Sequence, residues 1–416
     1  MSELYQLPNG WEWKELKSFG KFIRGVSYKK EQLLESKTNN DLILLRANNI
    51  QNELNLDEVQ IIPKEVAKGK IIEDGDILFA MSSGSKHLVG KNILINGLIG
   101  YTFGAFCSVY RNTKKDILDN CYLSYVLKSN LYREKLSALS MGANINNLKS
   151  SDLEIMVIPT PPLSEQQRIV SKLDLLFEKI DKSIALHQKN MDETNVFMGS
   201  VLNDVFGELE EKYGLDNIGN MIDILTDYHS NGAYKNLKAN VELLDKEDYA
   251  LMIRATDLEN EDYTNNVKFI TESAYNFMSK SKVYGGEIIL PKIGTIGNVY
   301  FMPYLKRPTS LAMNLFMLRC SDNVMNKYMF LYLKSPKGND TILSKANGAV
   351  TKTITKDAVR SIELALPPLH IQQKVVKYLD EISEKIEKVK LVQKEKMENL
   401  KALKASILDK AFRGEL

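Results

Sequence analysis

The side chains that usually carry chemistry are present in this sequence but never at a working spacing. The four histidines, His87, His187, His229 and His370, share no metal-ligand interval, and no HExxH occurs. Cys107, Cys121 and Cys320 form no CxxC pair, so they read as free thiols in a reducing cytoplasm. There is no GxxxxGK phosphate loop, and Gly294-Thr295-Ile296-Gly297 is too short for a nucleotide fingerprint and fits a tight turn. Ser83-Gly84-Ser85 lacks the Gly-x-Ser-x-Gly spacing of a nucleophile elbow. Carboxylates are plentiful, but they concentrate on two long helical stretches, where charged flanks are expected. The chain reads as a binding protein with no catalytic or metal site of its own.

The elements behind these residues come in two copies. Pro161-Pro162-Leu163-Ser164-Glu165-Gln166-Gln167 opens one long stretch and Pro367-Pro368-Leu369-His370-Ile371-Gln372-Gln373 opens another. The offset, 367 − 161 = 206, holds without a gap to Phe206 and Phe412. A repeat of about half the chain means two copies of one unit, not a solenoid. The proline pairs hold the chain extended, and Ser164 with Gln167 fits a capping box. Apolar residues then recur in steps of three and four, a narrow stripe like a coiled-coil seam. Leu173, Ile180 and His187 lie on it in the first copy, and Leu379, Ile386 and Gln393 in the second. Such helices span roughly 60 Å. They pair either with each other, antiparallel, or between chains; the first is favoured because the chain already carries both halves. His187 and Gln393 interrupt the stripe at matched positions, 393 − 187 = 206, near the middle of the helical pattern. In an antiparallel pair about a pseudo-two-fold axis they are expected to face each other and fix the register.

Composition adds little. With 416 residues there is room for two or three domains, and 44% apolar and 26% charged content is ordinary for globular proteins. The formal net charge of +2 neither requires nor forbids a nucleic acid. No apolar run nears the ~20 residues of a membrane helix, and Met1-Ser2-Glu3-Leu4-Tyr5 lacks the form of a signal peptide.

Two globular segments fill the remaining chain. In the first, Trp11 to Leu16 alternates like a strand, Phe19 to Ile23 and Leu42 to Leu45 are strand-length apolar runs, and Leu123 to Leu139 reads as one helix before a strand at Ile155 to Ile158. The second repeats that order: Arg254 answers Arg46 (254 − 46 = 208) and Gly286 answers Gly75 (286 − 75 = 211). The frame recurs while the loops change chemistry, which suggests two sites of one kind that read different things. Short strands with few helices and no regular βαβ alternation argue for an α+β fold.

Several motifs, taken in order, resemble the specificity subunits of Type I restriction–modification systems. They are Leu7-Pro8-x-Gly10-Trp11, Ile23-Arg24-Gly25, Leu45-Arg46-x-Asn48-Asn49-Ile50, Gly75-Asp76-Ile77-Leu78, Asn144-x-x-Asn147-Leu148-Lys149 and Pro159-x-Pro161-Pro162-Leu163-x-Glu165-Gln166. The resemblance covers essentially the whole chain. It implies two pseudo-two-fold-related α/β target recognition domains, residues 1–160 and 208–366, separated by a long antiparallel coiled coil. The coiled coil belongs to conserved regions at 161–207 and 367–416. It further implies a bipartite double-stranded DNA site with one domain on each half. Two methyltransferase subunits would dock on the spacer helices, and restriction/translocase subunits would join them. S-adenosylmethionine, ATP and Mg would sit on those partners, with no cofactor in this chain. The second copy departs from the pattern at Leu225-Thr226-Asp227-Tyr228 and at Thr351-Lys352-Thr353.

Polar and cationic side chains read base edges and hold phosphates. On the resemblance, the loop residues of that type are the DNA-binding candidates. In the first domain they are Arg24, Ser27, Tyr28, Lys29, Arg46, Ser83, Ser85, Lys86, Asn144, Asn147 and Lys149. In the second they are Tyr228, Tyr234, Lys235, Arg254, Lys292, Thr295, Thr351, Lys352 and Thr353. Arg46 and Arg254 stand at matched places, as a structural ion pair or as a phosphate clamp. The competing reading is a pseudo-symmetric coiled-coil scaffold or adaptor whose globular domains bind non-DNA partners.

Overall fold

The computed structural model describes residues 5–51, 53–82, 89–140, 147–348 and 351–416, the side chains of 137–140 apart. It forms two compact units, Met1–His187 with Lys394–Leu416, and Gln188–Gln393.

The first unit contains strands β1 (Glu12–Glu15), β2 (Gly20–Arg24), β3 (Asp41–Leu45), β4 (Gln60–Pro63), β5 (Ile77–Ala80), β6 (Asn92–Leu94), β7 (Tyr101–Phe103), β8 (Cys107–Asn112) and β9 (Val157–Thr160). Its short helices are α1 (Lys64–Ala67), α2 (Asn120–Val126), α3 (Asn130–Ser140) and α4 (Ser150–Glu154). An antiparallel sheet runs β2-β8-β5-β6, a mixed sheet runs β4-β3-β7, and β1 pairs with β9. The long helix α5 (Leu163–Tyr213) follows.

The second unit contains β10 (Asp216–Asn217), β11 (Ile222–Asp227), β12 (Ala250–Ile253), β13 (Lys268–Ile270), β14 (Lys282–Val283), β15 (Ile288–Pro291), β16 (Tyr300–Phe301), β17 (Thr309–Leu311), β18 (Leu315–Cys320) and β19 (Glu363–Leu364). Its helices are α6 (Tyr234–Asn240), α7 (Ala255–Glu259), α8 (Glu272–Phe277), α9 (Asn326–Lys334), α10 (Pro336–Ser344) and α11 (Lys356–Arg360), followed by the long α12 (Leu369–Arg413). The sheets run β11-β18-β15-β16 and β13-β12-β17-β14, with β10 paired to β19. That is the order of the first unit, with one strand more in the mixed sheet.

The long helices pair antiparallel within the chain. In the first unit Ile169, Leu173, Phe177 and Ile180 of α5 share a core with Leu408, Ala411 and Phe412 of α12. In the second, Leu202, Phe206 and Leu209 of α5 share one with Val376 and Leu379 of α12. The apolar stripe is not a helix–helix seam alone, because the same cores include Tyr122 and Leu123 of α2 and Tyr328 and Leu331 of α9. Ile386 is also buried, while His187 and Gln393 are half-buried at the points where the two units divide. Each helix ends at a glycine with positive φ, Gly214 at +71° and Gly414 at +75°, the left-handed stop that glycine adopts without strain.

Three local expectations are corrected. The stretch expected as one helix at 123–139 is two, because Ser129 turns its hydroxyl onto the Val126 carbonyl at 2.6 Å and breaks the run. Ser335 does the same to Tyr332 at 2.6 Å, ahead of Pro336. The strand expected from Ile155 begins at Val157, since Ile155 still closes α4. Ser164 is not the N-cap, as α5 starts at Leu163 and the Pro162 carbonyl already accepts from Glu165 and Gln166 backbone N–H groups.

Candidate nucleic-acid interface

The first turn of each long helix buries a glutamine that ties it to its domain. Gln166 accepts from the Asp119 backbone N–H at 2.8 Å and donates to the Ile117 and Pro161 carbonyls at 2.8 Å. Gln372 repeats all three bonds, from Met325 N–H at 2.8 Å and to Asn323 and Pro367 carbonyls at 2.9 and 2.8 Å. A buried ion pair also recurs on the antiparallel sheets, Arg111 on Asp76 at 2.7 Å and Arg319 on Glu287 at 2.7 Å. These groups fix the frame and leave the strand ends to vary.

In the first unit the C-terminal ends of β2, β3 and β5 meet at one corner. β2 and β5 flank β8, with Arg24 and Phe79 both opposite Ser108. Val26 bridges to Gly104, whose N–H donates to the Leu45 carbonyl at 2.9 Å, so the β3 end joins them. Gly25 must be glycine here, because a Cβ would sit 2.0 Å from the Gly104 carbonyl oxygen. Ser82 bridges to Asn147, and the Leu148 N–H donates to the Met81 carbonyl at 2.7 Å. Leu148 is buried between exposed Asn147 and Lys149, which alternation along an extended segment turns to solvent.

Arg24, Ser27 and Lys29 are exposed at this corner, and Tyr28 donates its hydroxyl to Gln60 Oε1 at 2.8 Å. Among the described residues the Arg24 side chain has no hydrogen bond or ion pair. Arg46 gives one weak bond to the Glu58 carbonyl at 3.3 Å, and its buried Nε has no partner among the described residues. Ser83, Ser85, Lys86 and Asn144 lie outside the described residues.

The second unit builds the same corner from other side chains. Phe316 stands opposite both Asp227 and Leu290, as Ser108 does opposite Arg24 and Phe79, so Asp227 holds the place of Arg24. Lys292 holds the place of Met81 (292 − 81 = 211) and Lys356 that of Ser150 (356 − 150 = 206). Asp227 is buried between two ammonium groups, 2.7 Å from Lys292 Nζ and 3.0 Å from Lys356 Nζ. Ser230 donates to it at 2.7 Å. Burial alone would raise its pKa; the bonds from Lys292, Ser230 and Lys356 outweigh that and hold it at about 2. Lys356 escaped sequence reasoning, although a lysine where the first copy has serine was a visible signal.

The other candidates divide. Arg254 is committed to Asp257, at 2.6 Å, and to the Asn266 carbonyl, the ion-pair alternative. Its counterpart Arg46 faces Asn49 where Arg254 has Asp257 (257 − 49 = 208), and so has no carboxylate there. Tyr228 is 7% exposed, and its ring packs in a core with Leu237 and Met252. Tyr234 and Lys235 are exposed on the first turn of α6. Thr295 donates to Glu259 at 3.2 Å. Thr351 and Lys352 are exposed, and Thr353 bridges to Ile293, as Asn147 does to Ser82. Among the described residues no group of His, Cys, Asp and Glu could hold a metal, and no helix is long and apolar enough to cross a membrane.

The family model for the Type I restriction modification DNA specificity domain matches residues 8–192 and again residues 217–397. The chain belongs to this family. Each match takes in one frame and part of the long helix behind it. The EcoKI specificity subunit of Escherichia coli K12, a Type I restriction enzyme, is 30% identical over 99% of this chain and 90% of its own length. The StySPI specificity subunit of Salmonella potsdam is 29% identical over the same shares. A chain solved in work on complex assembly and conformational transition of the type I R-M system superposes with a TM-score of 0.73 at 21% identity, over 99% of this chain and 100% of its own. The HsdS subunit of Thermoanaerobacter tengcongensis gives 0.52 at 21%, over 99% of each chain. At that identity these two speak for the fold. The specificity subunit is the non-catalytic member of such systems, so this chain is a DNA sequence-specificity component and the scaffold–adaptor reading is disfavoured.

Proposed function

We propose that the chain reads a bipartite site in double-stranded DNA, with residues 1–160 on one half and residues 208–366 on the other. The observation that carries this is the repeated corner: one frame, with Arg24, Met81 and Ser150 in the first copy where Asp227, Lys292 and Lys356 stand in the second. Two readers of one build and different chemistry suit two different half-sites. The candidate contacts are the exposed described residues of these corners; Ser83, Ser85, Lys86 and Asn144 remain candidates from the sequence alone.

The conserved regions, 161–207 and 367–416, serve as docking helices for two methyltransferase subunits. Their exposed apolar residues recur in register, Leu186 with Val392 and Phe197 with Leu403 (392 − 186 = 403 − 197 = 206). Large apolar side chains left on a helix surface in matched pairs favour a partner present twice. S-adenosylmethionine, ATP and Mg belong to the partners, which methylate adenine N6 and, with restriction subunits, translocate and cleave in the cytoplasm. Methylome sequencing of the host with this gene intact and deleted is the test. One bipartite adenine-methylated motif should vanish on deletion. An unchanged methylome would contradict the reading.

A further inference from the structure

The ion cluster of the second domain has an orderly arrangement of donors. Lys292 Nζ lies 2.7 Å from Asp227 Oδ2 and 3.3 Å from His229 Nδ1. An ammonium only donates, so Nδ1 accepts and the imidazole proton sits on Nε2. Lys356 Nζ donates to Asp227 Oδ1 at 3.0 Å and to Ser230 Oγ at 2.8 Å. The carboxylate is thus spent inside the cluster, its side chain only 8% exposed. Each ammonium keeps one proton to give, and His229, 40% exposed, keeps its Nε2–H. The hydrogen-bonding capacity these side chains have left over is therefore that of donors.

Two acceptors in DNA suit such a face, phosphate oxygens and the O6/N7 edge of guanine. The nearby carboxylate separates them. It cancels one of the two ammonium charges, which weakens the pull on a full phosphate charge more than the pull on the partial charges of a base edge.

We propose that Lys292, His229 and Lys356 form a preassembled donor face that reads a guanine in the second half-site, with Asp227 as its positioning residue. This rests on the reading of the second domain as a half-site reader. Asp227, which holds the face together, occupies the place that Arg24 holds in the first domain, where no carboxylate accompanies the cation among the described residues. Specificity in the second domain therefore comes from a lysine held still by its own acid.

The test uses the assembled methyltransferase complex, after methylome sequencing has given the wild-type motif. Lys292→Met places the residue of the first copy at its matched position, and Lys356→Ser does the same as a second variant if the first fails to fold. One guanine position of the second half should lose about tenfold or more of its discrimination, while the first half stays unchanged. Duplexes with 7-deazaguanine at that position, which lack the N7 acceptor, should bind wild type more weakly and the variant no differently. A motif left intact by these variants would overturn the inference alone. So would equal weakening on every duplex with the salt slope down by about one unit, the mark of a phosphate contact. A wild-type complex with no bipartite motif would overturn the functional reading and this inference with it.

Discussion

Gln166 and Gln372 are fully buried, and each satisfies three backbone groups at a helix start. Replacing either by leucine strands one N–H and two carbonyls. Each stranded group costs about 1–3 kcal/mol, so Gln166→Leu and Gln372→Leu should each lose roughly 3 kcal/mol or more. Denaturant unfolding measures this; a midpoint within error of wild type would sink the argument. Asp227 makes a second prediction at this scale. Its carboxyl sits at about 2, below the ordinary value, so the stability it contributes is present above about pH 4 and lost as pH falls toward 2. Asp227→Asn should therefore cost most near neutrality, and its gap to wild type should close in acid. A gap that widened below pH 4 would refute the sign. Neither role was legible in the sequence. A glutamine in a first helical turn looks solvated until its partners are known, and Asp227, Lys292 and Lys356 meet only through strands far apart in the chain. The repeat did pair Gln166 with Gln372, but the mismatch of Lys356 with Ser150 went unread.

At the scale of elements, the strands and long helices were legible because apolar runs and three–four spacing survive without tertiary information. Helix breaks were not, since Ser129 and Ser335 end helices by folding a hydroxyl onto a carbonyl, which serine does only in the right backbone setting. The segment at Asn147–Lys149 shows the opposite case. The sequence read it as a polar loop, and its bridge to Ser82 with Leu148 buried makes it an anchored one. If that segment meets DNA, Lys149→Ala should weaken binding alike on all sequences and flatten the salt dependence by about one unit. Asn147→Ala should instead relax one motif position at a cost of ~1–3 kcal/mol. Unchanged binding and an unchanged motif in both variants would leave the segment a structural role only.

For the whole molecule, duplication is the governing fact, and the sequence displayed it openly. An offset of 206 links the long helices, their glutamines and their exposed apolar residues. Family membership then makes the chain a specificity subunit, and the two corners supply a reason for two half-sites. The contrast the sequence hid was in charge: one frame position carries an arginine with no side-chain partner among the described residues in the first copy, and an aspartate held between two lysines in the second. The central claim is that each domain reads its own half of the DNA site. Methylome sequencing after residues 1–160 are replaced by the matching domain of another family member tests it most directly. One half of the methylated motif should change and the other remain; a swap that altered both halves, or neither, would contradict the account.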